Sequence, residues 1–208
     1  MTTSGLGPYE LDTIVVGDCL DVMMQLPDMC IDAVITDPPY GKVAGWNKPF
    51  PTSWYAPAMR IASMVAIITG SCGLKQSLPL VGDDFLDVIA ARIRNGRTRG
   101  PLGFDHWLAV VVAGRKPRHQ TTNFFDFIIS GEKPDHPTPK ALSFMLKLVE
   151  KLTERGETIF DPFMGSGTTA VAAKMLGRRF LGCDISKKYV DVANNRLVRI
   201  DGVQLPLI

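Results

Sequence analysis

The fold class is indicated first by the stretch Asp161-Pro162-Phe163-Met164-Gly165-Ser166-Gly167-Thr168-Thr169-Ala170. It connects a predicted strand, residues 158–160, to a predicted helix, residues 168–176. Glycine lets the backbone pass close to a ligand, and the first N–H groups of a helix have no partner within it. The order strand, glycine-rich turn, helix is therefore typical of α/β proteins that bind a nucleotide or nucleoside at the end of a sheet.

The residues of this turn narrow the range of possible ligands. No lysine follows the second glycine, so the turn is not a P-loop. It fits G-x-G-x-x-A, and Asp184 lies 19 residues after Gly165, at the end of the next predicted strand, Arg179–Asp184. An acid in that position accepts hydrogen bonds from ribose hydroxyls. The turn predicts an adenosine-type cofactor; a nicotinamide dinucleotide, or tight strand–helix packing without a ligand, are alternatives.

The segments around this turn alternate between strand and helix. Apolar runs predict strands at Thr13–Val16, Ala33–Thr36, Met64–Thr69, 87–93, 107–113 and 124–129. Spacing and capping residues predict helices at 18–26 with Asp18 as N-cap, at 55–63, from Thr138-Pro139 through Leu152, and at 187–198. Strands that alternate with helices predict an α/β fold with a doubly wound, mostly parallel sheet.

Composition limits the class of protein. Of the 208 residues, 46% are hydrophobic and 21% are charged, which is enough apolar material for one sizeable core and too much for a disordered chain. The net charge of +2 excludes a globally basic nucleic-acid wrapper but leaves room for a local basic face.

Cysteines, histidines and apolar runs indicate the compartment. The four cysteines form no C-x-x-C pair and the three histidines have no ligand-like spacing, so we expect neither a disulfide framework nor a metal site. The apolar stretches 61–69 and 108–114 are shorter than the roughly 20 residues of a membrane helix. Residues 1–8 lack the basic and apolar parts of a signal peptide. These features predict a cytoplasmic protein.

A second informative segment, Asp37-Pro38-Pro39-Tyr40, follows directly on the predicted strand Ala33–Thr36. Open α/β sheets bind ligands at the carboxyl ends of their strands. Each proline fixes its own φ and keeps the residue before it extended, so the segment is stiff. Its carboxylate, backbone carbonyl and aromatic face suit the exocyclic amino group of a nucleobase; an ordinary strand-ending turn is the alternative.

Together the two segments resemble the amino-directed DNA methyltransferases that use S-adenosylmethionine. The resemblance is to the permuted β group, in which Asp-Pro-Pro-Tyr precedes the Phe-x-Gly-x-Gly turn. It covers nearly the whole chain, through Gly17-Asp18-Cys19-Leu20, residues 36–41, His136-Pro137-Thr138-Pro139-Lys140 and residues 160–184, in that order. It implies one circularly permuted methyltransferase domain over residues 1–208, and a bacterial, phage or plasmid setting.

The resemblance also implies the site residues. The catalytic residues are Asp37, Pro38, Pro39 and Tyr40. The cofactor-binding residues are Asp18, Cys19, His136, Thr138, Lys140, Phe160, Asp161, Pro162, Phe163, Gly165, Gly167, Thr168, Asp184 and Ile185. Asp184 is expected on the ribose hydroxyls, Ile185 and Asp18–Cys19 at the adenine, and residues 160–168 around the methionine part. Ala141 stands where family members usually have proline.

The implied reaction is methyl transfer to N6 of adenine in double-stranded DNA. The flipped base would be held by Asp37, the Pro38 carbonyl and Tyr40. Methylation of cytosine N4, for which family members more often have serine at position 37, is the alternative. A glutamine or RNA amino methyltransferase, which tends to carry asparagine there, and a cofactor- and DNA-binding protein without activity are further alternatives.

A basic stretch lies where the family places target recognition, at about residues 95–135. Between Arg92 and Arg118, seven basic residues stand against the single acid Asp105, and we expect them to contact DNA phosphates: Arg92, Arg94, Arg97, Arg99, Arg115, Lys116 and Arg118. An ordinary solvated face is the alternative. The shortness of the region favours a short target or a homodimer, and a cognate restriction endonuclease is a further expected partner. Trp46, Phe50 and Trp54 either close over the base or pack within their loop.

Overall fold

The computed structural model of the chain describes residues 5–39, 50–70, 73–95, 98–100, 103–105, 107–118, 122–129 and 140–201. Two short antiparallel pairs, β1 (Gly5–Leu6) with β2 (Tyr9–Glu10) and β7 (Thr98–Gly100) with β8 (Gly103–Asp105), accompany an eight-stranded sheet. The strands of this sheet are β3 (Thr13–Val16), β4 (Ala33–Thr36), β5 (Met64–Thr69), β6 (Phe85–Ile93), β9 (Trp107–Gly114), β10 (Phe124–Phe127), β11 (Thr158–Asp161) and β12 (Arg179–Asp184).

The strand order across the sheet is β10-β6-β9-β5-β4-β11-β12-β3. Among these described strands, β9 runs antiparallel to both of its neighbours, β5 and β6. The remaining neighbours pair in parallel. The predicted mostly parallel α/β sheet is therefore confirmed.

Helices cover both faces of the sheet. They are α1 (Cys19–Met24), α2 (Tyr55–Ile61), α3 (Leu74–Val81), α4 (Leu142–Leu152), α5 (Thr168–Met175) and α6 (Lys187–Asp201). Successive residues of β4 enter different cores: Ile35 packs with residues of α4, α5 and α6, whereas Val34 packs with residues of α1 and α2. This alternation, with every residue of β4 buried, makes the sheet doubly wound. No helix in the described ranges is long and apolar enough to cross a membrane.

Several predicted boundaries are wrong by one to four residues, among them the start of α4 and the end of β10. Helix α4 begins at Leu142, not at Thr138-Pro139, and its N-cap Ala141 makes no side-chain capping bond. Packing sets this start, because the first buried side chains of α4 are Phe144 and Met145; Thr138 and Pro139 lie outside the described residues. The strand predicted at 124–129 ends at Phe127, which pairs with Ile93, the last residue of β6.

The direction of the strands divides the sheet into two edges. The carboxyl edge consists of the residues that end or directly follow β3, β4, β5, β6, β11 and β12. The amino edge is the opposite side, where these strands begin and where β9 ends, since Met64 of β5 pairs with Gly114 of β9. Asp37, Asp184 and the turn at 162–167 all lie at the carboxyl edge.

Candidate active site

The glycine-rich turn between β11 and α5 is held against β12 by backbone contacts. Met164 N donates to Cys183 O (3.0 Å) and Gly165 N donates to Asp184 Oδ2 (2.9 Å). Both glycines adopt the left-handed region, with φ of 51° at Gly165 and 80° at Gly167. A Cβ on Gly167 would lie 2.6 Å from Ala193 Cβ of α6, so that glycine is required by helix packing as well as by the turn.

Asp184 and its neighbour form a polar and an apolar surface side by side. Asp184 Oδ1 accepts from Ser186 N (2.8 Å) and Oδ2 from Gly165 N, and the side chain is half-buried. Each carboxylate oxygen can accept a further hydrogen bond. Ile185 is 66% exposed. The arrangement can therefore bind a diol through the carboxylate and the face of a flat ring through the isoleucine.

The start of α1 lies beside Asp184. Gly17 N donates to Asp184 O (3.0 Å), and Asp18 Oδ1 caps the helix by accepting from Leu20 N (2.8 Å). The predicted N-cap is confirmed. Burial, with the charge of Asp18, raises the pKa of Cys19 to about 11, so this thiol is uncharged at neutral pH. Five of the predicted cofactor residues, Asp18, Cys19, Gly165, Asp184 and Ile185, thus meet along one segment of the carboxyl edge.

Asp161 lies inside the protein beneath this turn. Its Oδ1 accepts from Thr36 Oγ1 (2.7 Å) and Phe163 N (3.0 Å), and its Oδ2 accepts from Thr169 Oγ1 (2.6 Å). Burial raises its pKa to about 6, against the opposing effect of these hydrogen bonds, with a further contribution from the charge of Asp37. The carboxylate therefore ties β4, β11 and α5 together at the point where Asp37 leaves the sheet.

Several residues expected around the methionine part of the cofactor face inward. Phe160 is 0% exposed and packs in the core, and the carboxylate oxygens of Asp161 accept the hydrogen bonds given above, so the place of both residues at the cofactor stays a prediction. Thr168 is buried and accepts from Arg196 Nη1 of α6 (3.0 Å). At the end of β11, Ile159 and Phe160 enter different cores, and Phe163 is half-buried against the core that contains Phe160.

The two carboxylate oxygens of Asp37 have different surroundings. Oδ2 accepts from Lys140 Nζ, and Oδ1 is buried without a hydrogen-bond partner among the described residues. Pro38 is buried and Pro39 half-buried, whereas Tyr40, His136 and Thr138 lie outside the described residues. Lys140, expected at the cofactor, thus contacts Asp37 in the structure. A buried acceptor without a donor is costly unless a ligand supplies the donor.

The loop before α2 contributes to the core. Trp54 is 1% exposed, its Nε1 donates to Pro51 O (3.0 Å), and its ring meets Phe163 edge-on with centroids 5.7 Å apart. Phe50 packs partly buried against the same cluster. For these two residues the structure favours loop packing over closure on a base; Trp46 lies outside the described residues.

The described members of the seven basic residues lie at both edges of the sheet, and their contact with DNA phosphates stays a prediction. Arg92 is held by Asp126 through Nε–Oδ1 (2.9 Å) and Nη2–Oδ2 (2.6 Å). Arg94 is exposed at the carboxyl edge, but Arg115, Lys116 and Arg118 follow β9 and lie at the amino edge, because β9 runs antiparallel. Arg97 and the side chain of Arg99 lie outside the described residues.

Three contacts could not be found from the sequence. They are the Lys140–Asp37 pair, the Thr36–Asp161–Thr169 network and the bonds from Arg196 to Ser166 O (2.6 Å) and Thr168. The first joins residues 103 positions apart, and the Thr36–Asp161 bond of the second joins residues 125 positions apart. Such pairings depend on strand order, for which the chain carries no local signal.

Comparison with known proteins identifies related sequences. A family model described as a DNA methylase, of the N6/N4 type, matches residues 90–195. "Putative methylase YubD" of Escherichia coli K12 is 26% identical over 203 residues, which cover 88% of this chain and 89% of that protein. "Type II methyltransferase M2.DpnII" of Streptococcus pneumoniae is 51% identical over 51 residues, which cover 24% of this chain but only 19% of that protein.

Solved structures share the fold. The M1.HpyAVI complex with S-adenosylmethionine has a TM-score of 0.71 at 24% identity, with 89% of this chain and 98% of that chain covered. The cytosine-N4-specific PvuII DNA methyltransferase also has a TM-score of 0.71, at 14% identity, with 94% and 87% covered. The predicted methyltransferase-type sheet is confirmed by these likenesses.

Proposed function

The chain belongs to the N6/N4 DNA methylase family, and we propose that it transfers the methyl group of S-adenosylmethionine to the N6 amino group of adenine in DNA. The observation that carries this proposal is the buried Oδ1 of Asp37, an acceptor at the carboxyl edge with no donor among the described residues. An exocyclic amino group supplies such a donor.

The geometry of Asp37 suits an amino group as the methyl acceptor. The lone pair of an aromatic amino group is delocalised into the ring, which makes the nitrogen a poor nucleophile. One N–H bonded to Asp37 Oδ1 and the other to the Pro38 carbonyl would hold the nitrogen near-tetrahedral and direct its lone pair away from the ring. Positioning and electrostatics then supply most of the rate enhancement.

Asp184 and Ile185, which lie at the carboxyl edge beside the start of α1, suit the cofactor. S-adenosylmethionine is the cofactor of this family, and when bound it supplies an electrophilic methyl group on a sulfonium. The acceptors of Asp184 suit its ribose hydroxyls, and the exposed Ile185 suits one face of its adenine.

The choice of adenine rests on the residue at position 37. A carboxylate there, as in this chain, resembles the adenine-specific members more than the cytosine-specific ones, which more often have serine. Cytosine N4 is the second candidate, since the fold is equally similar to the cytosine-N4-specific PvuII enzyme. Both bases present an amino group to the same acceptor, so the experiment has to identify the methylated base.

DNA is proposed to approach the carboxyl edge and to deliver a flipped base to Asp37. The antiparallel pair β7–β8, inserted between β6 and β9, belongs to the proposed recognition region at about residues 95–135 and leaves the sheet at this edge. Arg94 is exposed beside it. Arg115, Lys116 and Arg118 at the opposite edge have no part in this proposal. A homodimer or a cognate nuclease stays a prediction.

Mass spectrometry of nucleosides tests the proposal. DNA from a host lacking other methylation, expressing either the wild type or Asp37→Ala, is digested and its nucleosides are quantified, and modification-sensitive sequencing locates the target. We expect N6-methyladenine with the wild type and background levels with the variant. N4-methylcytosine would establish the second candidate. Tight cofactor binding without any methylated nucleoside would identify a binding protein without activity.

A further inference from the structure

We propose that Lys140 is a positioning residue for Asp37: its ammonium group holds one carboxylate oxygen so that the other faces the amino group of the target base. The proposal deepens the proposed function and rests on it. It gives Lys140 a role toward the acceptor base that differs from the cofactor contact implied by the resemblance. The proposal is argued from the different surroundings of the two carboxylate oxygens of Asp37.

The pair joins two separate segments of the carboxyl edge. Asp37 directly follows β4, and Lys140 lies two positions before the start of α4. Lys140 Nζ donates to Asp37 Oδ2, and the side chains are only 17% and 26% exposed, respectively. Because water reaches the pair poorly, its attraction is screened less than that of a surface ion pair.

The contact with Lys140 fixes the orientation of the Asp37 carboxylate and so the position of its second oxygen. An aspartate carboxylate turns broadly about its terminal torsion, so an isolated side chain presents its oxygens over a range of angles. With Oδ2 held by Lys140, the position of Oδ1 is fixed. That oxygen is buried and has no hydrogen-bond partner among the described residues. The contact therefore leaves one fixed acceptor for the substrate.

Lys140 also offsets a repulsion within the site. Asp37 directly follows Thr36, whose hydroxyl donates to Asp161, so two carboxylates lie close together at the end of β4. Two adjacent negative charges repel each other unless a cation lies near. Without the ammonium group, Asp37 would be driven away from Asp161 and out of the position that a base requires.

This role predicts a particular kinetic signature. Lys140 does not touch the base, so its loss should leave cofactor binding intact and slow the step that requires an oriented Asp37. Small misplacements of a reacting group cost up to about 100-fold in rate. A lysine that binds the cofactor, by contrast, would raise the dissociation constant of S-adenosylmethionine and leave the turnover number at saturation unchanged.

The first arm of the test compares three variants by kcat, by KM for DNA and by titration calorimetry with S-adenosylmethionine. The variants are Lys140→Met, Lys140→Arg, and the control Lys147→Met, which removes an exposed lysine of α4 whose Nζ donates to Asp126 O (2.6 Å). For Lys140→Met we expect kcat to fall 10- to 100-fold and the cofactor dissociation constant to stay within threefold. Lys140→Arg should recover much of the loss, and Lys147→Met should match the wild type.

The second arm needs no activity. Unfolding constants in urea are measured for Asp37→Asn, Lys140→Met and the double variant. A coupling of at least threefold between the two changes supports the ion pair. Additive effects, or an unchanged kcat in Lys140→Met, overturn the proposal. A wild type without methyl transfer but with the coupling intact would instead overturn the proposed function, so the two failures are distinguishable.

Discussion

The two ends of β11 each carry a buried acid, and the two acids have different partners. Glu157, directly before β11 at the amino edge, is 7% exposed, and its Oε1 lies 3.5 Å from Arg115 Nη2 and 3.4 Å from Arg118 Nε. Asp161, the last residue of β11, is 3% exposed and is bonded to two hydroxyls and one backbone N–H. One acid is neutralised by arginines, and the other has uncharged partners.

The polar groups of the amino edge contribute to stability, whereas Asp37 and Asp184 at the carboxyl edge are available to ligands. At the amino edge, Arg115 also donates to Ser63 Oγ (2.9 Å), so charges and polar groups there satisfy one another. At the carboxyl edge, one oxygen of Asp37 has no partner in the described part of the chain, and Asp184 keeps acceptor capacity beside the exposed Ile185. Changes to the ion pairs of the amino edge should therefore affect folding without affecting turnover, and changes to Asp37 or Asp184 should affect binding and turnover.

The largest contrast is expected between Asp37→Ala and Glu157→Gln. Asp37→Ala removes the acceptor for the amino group and should lower kcat roughly 10³-fold, with cofactor binding nearly unchanged. Glu157→Gln should lower the free energy of unfolding by about 1 kcal/mol, since its arginine partners are partly solvated, and leave kcat unchanged. Tritium transfer, calorimetry and urea unfolding measure the three quantities. Retained turnover in Asp37→Ala would remove that residue from the mechanism.

The pH dependence of stability tests the difference between Asp161, which has uncharged partners, and Glu157, which has arginine partners. Burial raises the pKa of this carboxyl from 3.8 to about 6, so the folded state binds its proton more tightly than the unfolded state. The stability that this group contributes is therefore present below pH 4 and is lost as the pH rises through 6. The loss amounts to up to about 3 kcal/mol, at 1.36 kcal/mol for each pKa unit.

Asp161→Asn tests this expectation, because the amide oxygen can accept from Thr36 and Phe163 and the amide NH₂ can donate to the Thr169 hydroxyl, without titrating. The free energy of unfolding of the variant, relative to the wild type, should rise between pH 4 and pH 7. Urea unfolding at a series of pH values gives the difference. A constant difference across that range would mean that Asp161 does not titrate between these values.

Asp184→Ala should weaken binding of S-adenosylmethionine by roughly 1.5–3 kcal/mol, the usual worth of hydrogen bonds to a charged group. Part of this loss comes from the turn itself, because Gly165 N and Ser186 N donate to the same carboxylate. Asp184→Asn, which keeps one acceptor, should lose less. Fluorescence titration measures both, and NADH should not bind to the wild type; tight NADH binding would favour a dehydrogenase instead.

The smallest effect is expected for single arginines in DNA binding. Arg94→Ala at the carboxyl edge should reduce the slope of log affinity against log salt by about 0.9, the value for one phosphate contact on duplex DNA. Arg118→Ala at the amino edge should leave the slope unchanged, although both side chains are exposed. Binding to matched and scrambled duplexes across a salt series measures the slopes. Equal reductions in both variants would place DNA across both edges.

Local patterns predicted much of the fold. The strands Thr13–Val16, Ala33–Thr36, Met64–Thr69 and Arg179–Asp184 have the predicted bounds, because each is an apolar run closed by a turn or by a polar residue. The glycine-rich turn and Asp184 were also found, since a tight turn and an acid after a strand leave direct traces in the sequence. Their proximity is seen in the bond from Gly165 N to Asp184.

Sequence patterns could not predict which edge a residue occupies or which partner it meets. The basic residues from Arg92 to Arg118 are close along the chain, but the antiparallel direction of β9 carries Arg115 and Arg118 to the far edge. Lys140 was assigned to the cofactor from its motif, whereas its contact with Asp37 depends on how the loop before α4 lies over β4. These outcomes depend on long-range packing.

Amide hydrogen exchange with and without S-adenosylmethionine tests the central claim most directly, because it compares the two edges within one experiment. At saturating cofactor, we predict slower exchange in peptides covering residues 161–167 and 183–186 at the carboxyl edge. Exchange at residues 115–118 and 154–157 of the amino edge should be unchanged beyond any global stabilisation. Slowing confined to the amino edge, or no slowing at residues 161–167 and 183–186, would contradict the account.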